Sequence, residues 1–450
     1  MQPRTVLALA ALSLLACDAG CGSEPEPPPE PRPEPAGSET PAEPSEGTPL
    51  AEVVSTRTLD PEPIRIDLEG LPEPFATDSA RKSPDVVPVP DDAELAVPEG
   101  FVVQRFATEV PMARWLRATP DGRVLVAQSR EERISWFRDT DGDGVADERG
   151  TFADDENAVD IPFGMAFERG AFFLGNQDEV RRFDWREGQT RLEGEGERVV
   201  ALPGGGYNQH WTRNVIPAGD GRHLFVSVGS ASNVSVEQPP RAAISKLDLE
   251  TGELSTYASG LRNPVGLAIH PDTGALYTAV NERDGLGDNL VPDYFTRVAR
   301  GAFYGWPYAY LSPENLDPRR MNGQRSEAPE LAARTRTPDV LFLSHSAALG
   351  VAFHDHEAFP ERYRHGAFVA HRGSWNRSEG TGYRIVFVPF DDGEPAGTYE
   401  PFVDGFLIDP SGPTTWGRPV GVLSHPDGAL YFTEEANGVV YRVSHRPEGA

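Results

Sequence analysis

The sequence predicts an all-β fold, a six-bladed β-propeller that follows a disordered N-terminal tether. One sequence pattern recurs six times along the chain: an apolar strand, a turn built on Pro, Asp or Gly, and a second apolar strand. Early copies begin about fifty residues apart, the period of a four-stranded blade, and long amphipathic helical patterns are scarce. The repeat period and the length of 450 residues disfavour the alternative, a two-sheet sandwich.

The repeats can be placed by residue number. The six copies occupy residues 115–129, 162–176, 213–230, 264–282, 348–372 and 419–434. Further strands are predicted between them, at residues 133–138, 180–185, 243–249, 383–390 and 439–444. Four copies share a glycine directly after an early apolar residue, namely Gly164, Gly266, Gly350 and Gly421.

Composition limits the partners and the stabilising chemistry. The formal net charge is −29, which argues against a nucleic-acid partner because phosphates would be repelled. Cys17 and Cys21 are the only cysteines, so no disulfide can cross-link the folded part of the sequence.

The N-terminus predicts export. Residues 1–16 read as a signal peptide whose apolar run is too short to span a membrane. Leu14-Leu15-Ala16-Cys17 is similar to a bacterial lipobox, which would place a lipid on Cys17; plain secretion with an unmodified Cys17 is the alternative. Residues 17–60 are a Pro/Glu-rich linker, and residues 61–446 form the predicted propeller domain.

An acidic loop precedes residue 148. Its carboxylates alternate as they do in a calcium-binding loop, and Gly144 permits a sharp turn. Position twelve of an EF-hand loop would be Gly150, so the loop is not an EF-hand. We expect a structural calcium ion here; an acidic hairpin turn is the alternative. The candidate ligands are Asp139, Asp141, Asp143 and Asp147.

A glycine-rich run, Gly204-Gly205-Gly206, leads to His210 at the start of the third repeat. Glycines let the backbone approach a ligand closely. A histidine has a pKa near working pH and is a candidate general base. A structural role for His210 is the alternative.

Charged residues also crowd the end of the fourth repeat. Carboxylates and backbone carbonyls of residues 281–284 suit a hard cation such as calcium, and a solvated loop is the alternative. Arg262, Arg372, Arg377 and Arg418 lie near repeat starts or strand ends. In a propeller these positions converge on the channel, where guanidinium groups would bind a polyanion; pairing with surface carboxylates is the alternative.

Taken in order, these phrases resemble the soluble pyrroloquinoline quinone (PQQ)-dependent sugar dehydrogenases, and most closely the L-sorbosone dehydrogenase branch. The resemblance covers roughly residues 64–444. The motifs that carry it are His210-Trp-Thr-Arg-Asn, Gly260-Leu-Arg-Asn-Pro-Val-Gly-Leu, Asn281-Glu-Arg-Asp, Tyr304-Gly-Trp-Pro, His371-Arg-Gly-Ser-Trp-Asn-Arg and Trp416-Gly-Arg-Pro-Val-Gly.

The resemblance implies a role for each matching residue. His210 would take the proton of the substrate hydroxyl as hydride passes to the quinone, and Arg262 would polarise the quinone carbonyl. Backbone carbonyls would bind calcium, with Asp288 nearby. The residues implied to hold the metal are Glu282, Arg283, Asp284 and Asp288; those implied to hold PQQ are Asn263, Glu282, Arg283, His345, Ser346, His371, Arg372 and Arg418.

The resemblance therefore implies a PQQ- and calcium-dependent enzyme that oxidises an aldose or a sorbosone-like sugar aldehyde. Electrons would pass to a quinone or cytochrome, and the enzyme would act in the periplasm or outer cell envelope, tethered to a membrane by a lipid on Cys17. Two other functions remain on a propeller fold: a non-catalytic binding module and a metal-dependent lactonase.

Overall fold

The computed structural model describes residues 53–205 and 208–446. The predicted signal peptide, Cys17 and most of the predicted linker lie outside this part of the chain. The linker boundary at residue 60 is corrected, because strand β1 (Ser55–Thr58) pairs in parallel with β3 (Glu94–Val97). Between them lies β2 (Asp85–Val86), and β4 (Phe101–Ala107) follows.

Six four-stranded antiparallel sheets account for most of the remaining strands. Sheet 1 contains β5 (Ala113–Ala118), β6 (Val124–Gln128), β7 (Arg133–Arg138) and β8 (Glu148–Ala153). Sheet 2 contains β9 (Met165–Glu168), β10 (Ala171–Gly175), β11 (Glu179–Asp184) and β12 (Glu197–Ala201). Sheet 3 contains β13 (Arg213–Pro217), β14 (His223–Val228), β15 (Ala243–Asp248) and β16 (Leu254–Ser259).

The later sheets carry insertions. Sheet 4 contains β17 (Asn263–Ile269), β18 (Leu276–Asn281), β19 (Tyr294–Arg297) and β22 (Val340–Leu341), with the hairpin β20 (Met321–Asn322) and β21 (Arg325–Ser326) and helix α1 (Pro329–Ala332) inserted. Sheet 5 contains β23 (Ala348–His354), β24 (Gly366–His371), β25 (Arg384–Val388) and β28 (Glu400–Val403), with the hairpin β26 (Phe390–Asp391) and β27 (Glu394–Pro395) inserted.

Sheet 6 joins the two ends of the described chain. It contains β31 (Pro419–Ser424), β32 (Leu430–Glu434) and β33 (Val439–His445), and its outer strand is β4. Before it, β29 (Leu407–Asp409) and β30 (Thr414–Thr415) pair with β2. Single 3-10 turns occur at Leu68–Gly70, Ser129–Glu131, Asp155–Asn157 and Glu361–Tyr363.

The predicted all-β class is confirmed, and each of the six sequence repeats supplies the first two strands of one sheet. The strands predicted between repeats are present as β7, β11, β15, β25 and β33.

The first strands of the sheets form a ring. Each contacts the first strand of the next sheet, and β31 of sheet 6 contacts β5 of sheet 1. The glycines shared by the repeats lie at these contacts: a Cβ on Gly266 would overlap the Leu349 carbonyl, and one on Gly350 would overlap the backbone of β31. Glycine is therefore required because neighbouring backbones touch where a side chain would stand.

Apolar side chains fill the spaces between neighbouring sheets. Tyr277 and Phe295 of sheet 4, for example, share a core with Val369 and Val386 of sheet 5. Within the described residues, no helix has the length and apolar character needed to cross a membrane.

Candidate active site

A cavity of about 300 Å³ opens where the first strands begin, at one end of the ring. Its wall combines residues from several sheets, among them Arg114 on β5, Asn263 on β17 and Leu349 on β23. The structure brings together here seven of the residues predicted from sequence: His210, Arg262, Asn263, Glu282, Asp284, His345 and Arg372.

His210 is held in one orientation and one tautomer. Its Nδ1 lies 2.9 Å from the Ser230 carbonyl oxygen and 3.0 Å from Ser230 Oγ, and that hydroxyl donates to the Ser232 carbonyl. Nδ1 therefore carries the hydrogen, and Nε2 keeps its lone pair. Burial, followed by the charge of Arg262, holds the pKa of His210 well below its usual value, so the imidazole is neutral at pH 7.

Gly229 packs closely against His210 and Asn263. A Cβ at this position would overlap Asn263 Oδ1 and lie 2.6 Å from the Cβ of His210. Asn263 Oδ1 is buried and has no hydrogen-bond partner in the protein. Asn263 lines the cavity, and an unpartnered buried amide oxygen of this kind is uncommon in proteins.

Arg262 is fully engaged with the protein. Nε donates to the Asn233 carbonyl at 3.2 Å, Nη2 to Asn233 Oδ1 at 3.0 Å and to Asp284 Oδ2 at 3.1 Å. Nη1 donates to the carbonyls of Glu282 at 2.6 Å and Asn281 at 3.4 Å. All five N–H groups thus have acceptors within the protein.

Asn233 organises this region, and the sequence analysis did not identify it. Besides its two bonds with Arg262, its Oδ1 accepts from the Asp284 amide at 2.9 Å and its Nδ2 donates to the Asp284 carbonyl at 2.9 Å. Its carbonyl also accepts from Trp306 Nε1 at 2.9 Å. A lone Asn in a loop between strands gives no sequence signal for this role, because the partners lie in another sheet.

His345 and Asp284 form a buried pair. His345 Nδ1 lies 3.4 Å from Asp284 Oδ1, and its Nε2 lies 3.0 Å from the Gly287 carbonyl oxygen. Burial lowers the pKa of His345, but Asp284 and the Gly287 carbonyl outweigh it and the pKa is raised. Burial likewise raises the pKa of Asp284, and Arg262 and His345 bring it below its usual value. Both shifts favour the ionic form of the pair.

Two further carboxyl groups on the wall, Glu282 and Asp293, form no direct ion pair in the described part of the chain. Burial raises the pKa of Glu282 to about 8 and that of Asp293 to about 6. Asp293 accepts from the amides of Glu282 and Ala347, at 2.8 and 2.7 Å. Glu282 Oε1 is buried and has no partner. A cation near these oxygens would stabilise their ionised forms.

The opposite wall is cationic. Arg114 and Arg372 both pair with the single carboxylate Glu435, whose pKa falls to about 2 because these arginines outweigh its burial. Arg418 lies behind them and donates to the carbonyls of Arg372 and Gly373, each at 3.4 Å. Three guanidinium groups share one carboxylate, so this wall has positive charge to offer an anionic ligand.

Other predicted residues, among them His371 and Ser346, do not line the cavity. His371 is the last residue of β24 and directly precedes Arg372. Its side chain packs against the rings of Phe342 and Tyr399, away from the cavity that Arg372 lines. Ser346 donates to the Leu343 carbonyl at 2.7 Å.

Among the charged residues of the predicted metal loop, Glu282 and Asp284 line the cavity, whereas Arg283 and Asp288 do not. The Arg283 side chain is buried beside Asp317, with Nε 3.3 Å from Oδ2. Asp288 accepts from the amide and hydroxyl of Ser378, so its side chain is turned from the cavity.

The acidic loop is remote from the cavity, in the connection between β7 and β8. Ligand atoms of Asp139, Asp141 and Asp147 lie within 4.8 Å of one another, the only such group of three in the described part of the chain. Asp143 does not join this group, and its Oδ1 accepts from the Val145 amide at 2.8 Å.

Most of the chain is similar to known proteins. The family model described as TrAA12-like matches residues 95–293 and 319–446. An uncharacterized protein of Borreliella burgdorferi is 32% identical over 371 residues, covering 78% of this chain and 90% of the relative.

Two solved structures share the fold. The calcium structure of the Trichoderma reesei carbohydrate-active enzyme of family AA12 matches with a TM-score of 0.67 and 18% identity, over 80% of this chain and 98% of that one. The holo form of the pyranose dehydrogenase PQQ domain from Coprinopsis cinerea matches with a TM-score of 0.65 and 20% identity, over 80% and 98%.

Proposed function

The chain belongs to the TrAA12-like family, and on that premise we propose that it is an oxidoreductase that uses PQQ and calcium to oxidise a sugar. The observation that carries the proposal is the single cavity in which neutral His210 faces the same space as Arg262, Asn263 and the cationic wall. The names of the matching structures, a pyranose dehydrogenase PQQ domain and a calcium structure, agree with this cofactor pair.

The cationic wall fits an anionic cofactor. PQQ carries carboxylates, and Arg114 and Arg372 line the cavity with only Glu435 to neutralise them and Arg418. Asn263 lines the same cavity, and its buried Oδ1 has no hydrogen-bond partner. When bound, PQQ supplies the acceptor for the electrons of the sugar. Arg372 presents its charge as a planar guanidinium fork.

The acidic wall fits a hard cation. Glu282 and Asp293 are buried carboxyl groups with raised pKa values, and Glu282 Oε1 is unpartnered. We propose that calcium binds here through backbone carbonyls of residues 282–284 together with carboxylate oxygens, and that its charge ionises Glu282. Arg262 and Asn233 hold these backbone groups in position from behind.

His210 is proposed as the general base. Its Nδ1–H is bonded to Ser230, so Nε2 is the atom that accepts the proton of the sugar hydroxyl. Arg262 is proposed to stabilise negative charge that develops on the quinone side. Its longest bond, 3.4 Å to the Asn281 carbonyl, is the one whose opening would free an N–H of Nη1.

The finer features of the proposal are these. The substrate is an aldose or sorbosone-like aldehyde, and the six four-stranded sheets support a six-bladed propeller. Residues 139–147 hold a second, structural calcium, supported by the carboxylate group there. The enzyme is exported, anchored through a lipid on Cys17, and passes electrons to a quinone or cytochrome acceptor.

Reconstitution tests the proposal. The purified chain is titrated with PQQ in the presence and absence of Ca²⁺, with absorbance reporting binding, and dye reduction is then measured across a panel of sugars. We expect saturable PQQ binding that depends on Ca²⁺, and dye reduction by at least one sugar. No PQQ binding at micromolar levels would favour a binding module, and lactone hydrolysis without PQQ would favour a lactonase.

Replacing His210 by Ala tests the base directly. We expect kcat to fall about 10²–10⁴-fold while PQQ binding is retained, because the base acts on the sugar hydroxyl. The matched control is His365→Ala, since His365 is an exposed histidine paired with Asp272 outside the cavity. Unchanged turnover in His210→Ala would remove His210 from the mechanism.

A further inference from the structure

A second cavity occupies the other end of the ring. Its volume is about 440 Å³, and it has no lining residue in common with the first. Strand β17 shows the separation: Asn263 and Val265 face the first cavity, Leu267 and Ile269 face the second, and Gly266 lies between them against the backbone of β23. The close contacts between first strands, four of which are made at glycines, therefore separate the two cavities.

The wall of this second cavity is mainly apolar. It is lined by side chains that include Met165, Ile216, Leu267, Val351 and Val422. Pockets of this volume and character bind small molecules whose apolar part is buried.

One cation stands in this wall. Arg117 on β5 lines the cavity and is half-buried. Among the described residues it is the one non-exposed arginine whose side chain makes neither a hydrogen bond nor an ion pair. Asp355 also lines the cavity, but it is exposed and does not pair with Arg117.

An unpaired guanidinium in an apolar wall is unusual in this chain. Acidic residues outnumber basic ones by 70 to 41, so a carboxylate partner was available by composition. Burial lowers the pKa of Arg117, which reflects the cost of keeping its charge there without a counter-ion. A ligand carboxylate would supply that counter-ion and could accept two N–H bonds from the guanidinium fork.

We propose that this cavity binds an amphipathic monocarboxylate, such as the anion of a medium-chain fatty acid, with its carboxylate on Arg117 and its chain along the apolar wall. A single guanidinium matches a single negative charge, whereas a phosphate dianion would call for more than one cation. The site is separate from the proposed sugar-oxidising cavity and does not depend on it.

Calorimetric titration of the whole protein with octanoate and, separately, with 1-octanol tests the proposal. The two probes have the same chain and differ in charge. We expect octanoate to bind one site at least tenfold more tightly than 1-octanol, and to bind equally well to PQQ-loaded protein. Equal binding of the two probes, no octanoate binding, or displacement of octanoate by PQQ would each overturn the proposal.

Variants then locate the site. Arg117→Met should weaken octanoate binding at least tenfold and leave 1-octanol binding unchanged, and Arg117→Lys should lie between Met and wild type. The control is Arg133→Met, which removes an exposed arginine from the same sheet and should change neither affinity. Octanoate binding to Arg117→Met with wild-type affinity would contradict the assignment, and the comparison of the two probes on wild-type protein stands whether or not the variants fold.

Discussion

At the scale of single residues, the proposed chemistry depends on which nitrogen of His210 is free. Ser230 takes Nδ1, and its own amide donates to the Arg262 carbonyl at 2.8 Å, so base and arginine are positioned by one residue. His210 was identified from sequence because it follows glycines and begins a repeat. Ser230 and Asn233 were not, because side-chain and backbone bonds between separate loops leave no pattern in the sequence.

The pKa of His210 predicts the pH profile. Burial and Arg262 hold it well below 6.5 in the folded protein, so the imidazole stays neutral as the pH falls through 6.5. We expect kcat/KM for the sugar to be flat across pH 6–7, where an ordinary histidine base would lose activity, and to fall only at more acidic pH. The measurement is kcat/KM against pH with PQQ and Ca²⁺ saturating; an acidic limb centred near 6.5 would contradict it.

We expect the Gly229→Ala variant to lose catalytic rate more than stability. A methyl group in Gly229→Ala would press on Asn263 and His210 together. A displacement of about 1 Å costs roughly 100-fold in rate, so we expect kcat to fall by about that factor. Gly70→Ala is the control, because a Cβ there meets no atom within 4 Å. Wild-type kcat in Gly229→Ala would show that the position of His210 is not critical.

At the scale of elements, the structure gives the reason for the glycine that four repeats share. The sequence shows a glycine after an early apolar residue in four repeats, which predicts a shared backbone environment but not its nature. The structure shows that the first strands touch backbone to backbone at Gly164, Gly266, Gly350 and Gly421. The strands themselves were predictable, because alternating apolar runs and Pro/Asp/Gly turns are local signals.

Gly266→Ala tests this packing. Its Cβ would overlap the Leu349 carbonyl and lie 2.6 Å from Val351 Cγ2, so β17 and β23 would have to separate. Overpacking of this kind costs about 1–3 kcal/mol, and contact with backbone favours the upper end. We expect a lower midpoint of urea unfolding than in Gly70→Ala, which has open space. Equal midpoints would mean that the ring tolerates a side chain.

The segment before β4 contacts the loops beside the first cavity, a role that the sequence did not predict. The sequence analysis assigned this segment partly to the linker and partly to the propeller domain, and gave it no role of its own. In the structure it crosses the loops beside the first cavity: Gly287 donates to Ser79 Oγ at 3.1 Å, and Lys82 donates to the Trp375 carbonyl at 2.8 Å. Trp375 lines the cavity and is 41% exposed, so the segment supports the rim that a sugar would cross.

At the scale of the whole molecule, closure of the ring depends on both ends of the described chain. Strand β4 completes sheet 6 by pairing with β33, over a register from Val440 with Ala107 to His445 with Phe101. The sequence repeats assign each repeat to its own sheet and do not predict that β4 pairs with β33. That pairing joins residues more than three hundred positions apart. The ring in turn brings the residues of the proposed site to one end of the channel.

Phe101 is where this closure can be tested. Its side chain is 4% exposed and contacts Phe402 of β28 and two rings from the β23–β24 connection, Phe359 and Tyr363. The ring centroids lie 4.9 Å from Phe402, 4.9 Å from Phe359 and 5.3 Å from Tyr363. Phe101→Ala should lower the free energy of unfolding by about 3–5 kcal/mol, because it removes the ring that joins the first long strand to sheet 5.

The control is Phe75→Ala, since Phe75 is 59% exposed and its loss should change stability by less than about 0.5 kcal/mol. Urea unfolding followed by tryptophan fluorescence reports on the whole ring, because Trp115, Trp185, Trp306 and Trp416 lie in different sheets or their connections. A single shifted transition in Phe101→Ala would show that closure stabilises all six sheets together. An early transition confined to part of the signal would instead show that sheets 5 and 6 open without the rest, and the ring would not be one cooperative unit.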